Sequence, residues 1–374
     1  MSPQNEDFTI GVEEEYQVID PQTRQLCANA QEVLATIHQN LNDTIAQAEF
    51  RQSQIEIATP VCRSLQEVRS QLTRLRGEVI AAAAQNGYQI ASAGTHPFSH
   101  WQDQPVTPKP DYLNLTQRYR RLMQELVTFG CHVHIGIADR EIAVQVVNRS
   151  RAWLAPLLAL SASSPFWLGT DTGHASYRTT LTNRLPMAGP PQLFSSYQEY
   201  RSVVDALVAT QTIQAPTQIC WDIRLSERFP TLEFRITDAC TTINETVMIA
   251  GLVRALVKTC YEQAWINEPY TPVRSELLLA ANWYAARFSL SETLIDTESQ
   301  QNVSAQEQIK TLLEFVRPAL KDLGDWDEVS ALVQITLQQG SSAARQRTIY
   351  ERTSSLKAIV DLLVQETAKG TGLS

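Results

Sequence analysis

Four separate stretches of this chain set carboxylates, imidazoles or a guanidinium at alternate residues, opposite apolar side chains. Between Thr9 and Tyr16, Glu13 and Glu15 lie on one side of an extended chain, with Ile10, Val12 and Tyr16 on the other. Between Cys131 and Ile137, His132 and His134 oppose Cys131, Val133, Ile135 and Ile137. Glu233 and Arg235 oppose Leu232, Phe234 and Ile236, and Glu56 stands between Ile55 and Ile57. A period of two marks a β-strand, whose successive side chains point to opposite faces. Carboxylates at i and i+2 stand about 6–7 Å apart along such a strand, and a cation beside them offsets their repulsion. Oxygen donors favour Mg2+ or Mn2+ over zinc, and no H-E-x-x-H motif or cysteine-rich set speaks for zinc.

Each stretch taken alone has a plainer explanation. Glu13 to Glu15 could be a solvated strand end, with Glu14 alternating to the apolar side. Glu233 and Arg235 could be a surface ion pair contributing about 0–1 kcal/mol. Glu49, seven residues before Glu56, and Arg178, beside Tyr177 in a Gly-rich stretch, could be ordinary surface charges. Paired histidines flanked by Gly130 and Gly136 fit ligand contacts better, because small neighbours leave room against the backbone. The joint occurrence favours one shared site for divalent cations and phosphate.

The elements that must position these residues follow from punctuation and periodicity. The first strand ends near Asp20-Pro21, and the strand bearing Glu56 stops at Thr59-Pro60. Ser64 and Glu67 form a capping-box pattern, followed by a stripe of Leu65, Val68, Leu72, Leu75 and Val79 and a stop at Asn86-Gly87. Tyr88 to Ala93 reads as a strand, Tyr112 to Val127 as a helix, and Glu141 to Ser163 as an apolar helix interrupted at Pro156. Pro165 to Pro191 lacks periodicity, as lids and binding loops do. Helices are expected over Asn244 to Ile266, Ser275 to Ala286 and Ser304 to Leu320, with two more to Gln365. The pattern predicts an α+β fold, with helices on the apolar face of a largely antiparallel sheet. The apolar segments Ala152 to Leu160 and Ile249 to Val257 would serve the core or a subunit face.

At 43% hydrophobic and 19% charged residues, the composition is that of a globular protein. A net charge of −9 without a basic stripe argues against a nucleic-acid partner. Six scattered cysteines without a C-x-x-C pair suggest reduced core thiols and a cytoplasmic location. No signal-peptide pattern and no apolar run of about 18 residues suggests a membrane. P-loop, Rossmann and nucleophile-elbow motifs are absent. A bound nucleotide would therefore be held through metal ions, arginine and histidine.

On these residues the chain resembles the carboxylate–amine ligases of the type-2 glutamate–cysteine ligase family, within the glutamine synthetase superfamily. The resemblance rests on Gly-Val-Glu-Glu-Glu-Tyr, Ser-Gln-Ile-Glu-Ile-Ala-Thr-Pro, Ala-Gly-Thr-His-Pro, Gly-Cys-His-Val-His-Ile-Gly, Ala-Ser-Tyr-Arg and Leu-Glu-Phe-Arg, spread over nearly the whole length. It implies one catalytic domain over residues 1–374, with a helical part from about residue 241. It also implies a glutamine synthetase-like curved antiparallel sheet, helices on its convex face, and ATP, Mg2+ or Mn2+ and substrate on the concave face. Glu13, Glu15, Glu56, Glu233, His132 and, in a second acidic element, Glu49 are then expected as metal ligands. His134 and Arg235 are expected to contact ATP phosphates, Arg235 alternatively the substrate carboxylate, and Arg178 the transferred phosphoryl group. The implied reaction joins two amino acids, glutamate and cysteine, in a homodimeric enzyme; no motif fixes the amine pocket. Alternatives are a guanidino kinase-like phosphotransferase, a non-catalytic binding protein of the same fold, and a metal-dependent hydrolase working without ATP.

Overall fold

The computed structural model describes residues 8–39 and 45–373. Its centre is β1 (Ile10–Ile19), long enough to carry neighbours on both edges. On one edge β1 pairs with β3 (Gln54–Ala58), which pairs in turn with β2 (Ala46–Ala48). On the other it pairs with β5 (Cys131–Gly136) through its first half and β4 (Gln89–Ala91) through its last residues. Next to β5 come β11 (Thr231–Phe234) and β10 (Ile223–Leu225), so the order is β10-β11-β5-β1-β3-β2, antiparallel throughout.

The apolar residues of these strands form the convex side. Val12, Val133, Ile135, Leu232, Phe234 and Ile223 enter the largest core cluster, and Tyr16, Val18, Ile55 and Ile57 a second. Helices α1 (Ala30–Ile37) and α2 (Leu65–Gln85) cover the second cluster. In α2 the expected stripe is buried, Ser64 Oγ caps the Glu67 amide at 3.2 Å, and the chain leaves through Gly87 at φ +79°. Glu67 reaches back to the amide of Arg63 in place of Ser64, one residue earlier than a capping box requires.

Helix α9 (Ile243–Trp265) opens with a complete capping box between Thr242 and Glu245. Buried on most sides, it packs on β5 and against α2, α5 (Arg140–Ser150), α11 (Ala305–Asp322) and α12 (Trp326–Gln339). Gly251 permits this: a Cβ there would stand 2.5 Å from Val329 Cγ2 and 2.8 Å from Leu65 Cδ1. The segments Ala152 to Leu160 and Ile249 to Val257 are buried within the single chain except for half-buried Ala152 and Trp153, so they serve chiefly the core.

The structure departs from expectation where local pattern is weak. The helix expected over Tyr112 to Val127 divides into α3 (Pro110–Tyr119) and α4 (Arg121–Gln124) at Arg120, whose φ is +51°. The apolar helix breaks at Arg151–Trp153, ahead of Pro156, which lies in the first turn of α6 (Leu154–Ser161), where proline's missing N–H is tolerated. Pro165 to Pro191 holds short elements instead of one loop: β6 (Phe166–Trp167), β7 (Thr170–Asp171), α7 (Tyr177–Thr182) and β8 (Ala188–Gly189), the last pairing with β9 (Cys220–Trp221). Elements this short carry no readable period. After α10 (Ser275–Phe288) a hairpin of β12 (Thr293–Asp296) and β13 (Gln301–Ser304) intervenes, and the chain ends in α12, α13 (Ser342–Thr353) and α14 (Leu356–Ala368), one helix more than expected.

Candidate active site

Strand register brings the alternating polar residues together on the concave face. Glu13 stands opposite His132, Glu15 opposite Glu56, and His134 opposite Glu233, which faces Arg224 on its other side. His132 Nδ1 lies 3.1 Å from Glu13 Oε2, and His134 Nε2 lies 3.2 Å from Glu13 Oε1 without forming a hydrogen bond. The other ring nitrogen of His134 meets Thr231 Oγ1 at 3.1 Å. Arg224 grips Glu233 with two nitrogens at 2.8 and 3.1 Å, and Arg235 contacts the same carboxylate.

Glu15, Glu49 and Glu56 form an acidic wall. Glu15 Oε2 accepts from the Gly130 amide at 2.6 Å and from Gln54 at 2.9 Å. Glu56 accepts from Gln47 at 2.5 Å, and Glu49 from the Tyr112 hydroxyl at 2.8 Å. Burial, then the charge of Glu49, pushes Glu15 up to about 7; burial and the three neighbouring glutamates push Glu56 well above the usual carboxylate range. Burial raises Glu49 as well. Glu13 behaves oppositely: burial opposes its charge, but both histidines hold it well below the ordinary value. His132 is pushed down to about 4 by burial and by Arg235, so it presents a neutral ring. Glu233 is held low by Arg235 and Arg224 against its burial.

These donors fit divalent cations. Glu13, His134 and Glu233 offer three ligand atoms within 4.8 Å of one another, and so do Glu13, Glu56 and His132. Glu13 belongs to both sets, as a carboxylate with two oxygens can. The mutually repelling acids gain from positive charge here. Imidazole mixed with carboxylate suits Mn2+ as well as Mg2+. Glu15 and Glu49, expected as ligands, lie outside both sets, whereas His134, expected at phosphate, lies inside one.

Arg178 is a buried wall residue on α7 and not a solvated loop charge. Its guanidinium donates to the carbonyls of Ile236 and Arg235 at 3.3 and 3.1 Å and lies 3.9 Å from Asp238. Asp238 in turn accepts from Ser163, Ser164 and Ser176 at 2.9, 2.7 and 2.7 Å, which pins α7 to the sheet end. Gly130 makes room: a Cβ there would come within 2.7 Å of Arg178 Nη2 and 2.9 Å of His132 Nε2. The stretch without periodicity thus holds an arginine anchored to the end of the sheet. Sequence reasoning missed Gln47, Gln54, Tyr112, Arg224, Asp222 and Asp238. Asp222 and Arg224 left a signal, alternating with Trp221, Ile223 and Leu225, and so did Gln54, two residues before Glu56.

Comparison with solved structures shows the fold. Glutamate–cysteine ligase from Francisella tularensis, solved in complex with AMP, superposes with a TM-score of 0.73 at 12% identity, covering 100% of this chain and 91% of that one. The ligase PafA, solved with the ubiquitin-like protein Pup, gives a TM-score of 0.53 at 13% identity, covering 95% of this chain and 72% of that one. The curved antiparallel sheet with its helical cover is thus a glutamine synthetase-like fold. A family model described as glutamate-cysteine ligase family 2 (GCS2) matches residues 9–362. Relatives carrying the provisional name glutamate–cysteine ligase 2 are similar over their whole lengths. One from Rhodopirellula baltica is 42% identical, covering 96% of both chains. One from Herpetosiphon aurantiacus is 40% identical, covering 98% of this chain and 94% of its own. The chain belongs to glutamate-cysteine ligase family 2 and is an enzyme of that family.

Proposed function

We propose that this enzyme uses ATP to activate the γ-carboxylate of glutamate as an acyl phosphate and joins it to the amine of cysteine. The observation that carries this reading is the pair of cation-competent sets sharing Glu13, walled on the β11 side by Arg235 and at the sheet end by Arg178. Phosphoryl transfer between oxygens depends on positioning and charge neutralisation more than on covalent help. Mg2+ or Mn2+ held by Glu13, Glu56, His132, His134 and Glu233 would supply positive charge against phosphate oxygens. Arg235, already oriented by Glu233, and Arg178, oriented by two backbone carbonyls, present fixed guanidinium groups to the transferred phosphoryl group. Because these donors are anchored, little reorganisation accompanies charge movement. Fixed walls also limit the water able to hydrolyse an acyl phosphate.

Incubation with ATP, Mg2+ and amino acids, singly and in pairs, tests the reading through ADP, phosphate and amide product. Ligation requires a pair of amino acids. ADP formation with one phosphorylated acceptor would indicate a kinase, turnover without ATP a hydrolase, and no turnover a binding protein. Six free thiols support a cytoplasmic location, and among the described residues no helix is long and apolar enough to cross a membrane. Homodimerisation, expected from the family resemblance, is measured by light scattering.

A further inference from the structure

Asp222 is a buried carboxylate beside the site that none of the roles above uses. It sits at the bend between β9 and β10, whose flanking Trp221 and Ile223 enter the core, and the charge of the wall residue Arg178 acts on it. Its backbone is fixed by bonds from its own amide to Gly189 O at 2.9 Å and from the Arg235 amide to its carbonyl at 2.8 Å. The side chain is 7% exposed and accepts one hydrogen bond, from Asn282 Nδ2 on α10 at 2.7 Å. Among the described residues it forms no ion pair. Arg178 acts on it without forming an ion pair, and Arg224 and Arg235 are both engaged by Glu233. Buried carboxylates are ordinarily paired, so one without an ion pair beside the site has room for a bound cation.

We propose that Asp222 binds the primary ammonium of the attacking amino acid and takes its proton. The inference rests on the ligase reading and supplies the amine subsite that no motif fixed. In the step, an N–H proton passes to the Asp222 carboxylate, and the freed lone pair forms the C–N bond at the acyl carbon. The C–O bond to phosphate then breaks, its electron pair leaves with inorganic phosphate, and the second N–H proton departs with that phosphate. A proton acceptor should titrate near the working pH. Burial pushes Asp222 up to about 7 against the opposing pull of Arg178, the one charged group acting on it, while Asn282 steadies the charged form. The α-ammonium of glutamate is the other candidate, and the KM values for the two amino acids separate them.

The test uses the full chain with ATP, Mg2+, glutamate and cysteine. Asp222→Asn should raise KM for cysteine at least about tenfold, the range for losing a charged hydrogen bond. KM for ATP and for glutamate should stay within about twofold. The acidic limb of the kcat/KM profile for cysteine should disappear. Asn282→Ala, a conservative change within a helix, should give a smaller rise and move that limb to higher pH. Unchanged cysteine KM and pH profile in both variants would overturn the proposal. So would a rise confined to glutamate, or equal rises for all three substrates. If the unaltered enzyme joins no pair of amino acids, the ligase reading itself has failed, a result separable from any behaviour of the variants.

Discussion

The two faces of β1 use adjacent glutamates in opposite ways. On the convex side Glu14 is closed off completely. Arg76 from α2 meets it at 2.6 Å, Thr246 from α9 donates at 2.5 Å, and the Tyr16 hydroxyl completes the set. Arg76 spends its remaining donors on the carbonyls of Thr241 and Cys240 at 2.8 and 2.9 Å. One residue to either side, Glu13 and Glu15 face the hollow, where like charges crowd and fixed cations are few. A structural charge is thus matched by fixed partners, whereas the concave acids are left to be completed by something that binds.

Breaking the convex partnership should give the largest effect on folding. Glu14→Gln leaves Arg76 buried without its counter-charge and should cost about 3–5 kcal/mol, read by denaturant unfolding. On the concave face the loss should appear in rate. Arg178→Met should lower turnover roughly 10²–10³-fold with a smaller change in KM for ATP, as removal of a fixed donor to developing charge does; an unchanged turnover number would assign Arg178 to structure. Glu56→Gln should sharpen the contrast by raising the stability of the cation-free protein by about 1 kcal/mol while abolishing ligation, because it removes one of several repelling charges. A melting temperature lower than that of the unaltered protein would contradict the repulsion.

The faces should also titrate in opposite senses, the smallest effect. Glu14 is depressed: although burial opposes its charge, Arg76 overcomes it. Its stabilisation is therefore present above the unfolded value of about 4.3 and is lost as pH falls through the lower folded value. Glu15 is raised to about 7, so its protonated form favours folding below about 4.3. That contribution fades as pH climbs through 7. Added Mg2+ or Mn2+ must displace protons from this wall, and should raise the melting temperature more at pH 8 than at pH 6. Equal shifts at the two values would show that Glu15 and Glu56 do not sense the cation.

Legibility followed the same division. Alternation along one strand showed that Glu13, Glu15, His132, His134, Glu233 and Arg235 share one kind of face, and that Glu14 does not. Arg178 was visible only as a charge in a Gly-rich stretch, because six-residue α7 is shaped by side-chain bonds from Ser164 and Ser176 and shows no period of its own. Asp222 showed only its alternation with Trp221 and Ile223, since its significance lies in what neighbouring arginines do elsewhere.

The sequence by itself determined the residue types, the two-sided strands and the helix cap at Ser64, because these depend on neighbours a few residues apart, and family membership, because its motifs recur along the whole chain. Tertiary structure alone decided that His132 meets Glu13, that Arg76 seals Glu14, and that Asp222 stays without a counter-ion. Those contacts join segments from 62 to 119 residues apart in the first two cases, and depend on strand register and on competition among charges that no local pattern records.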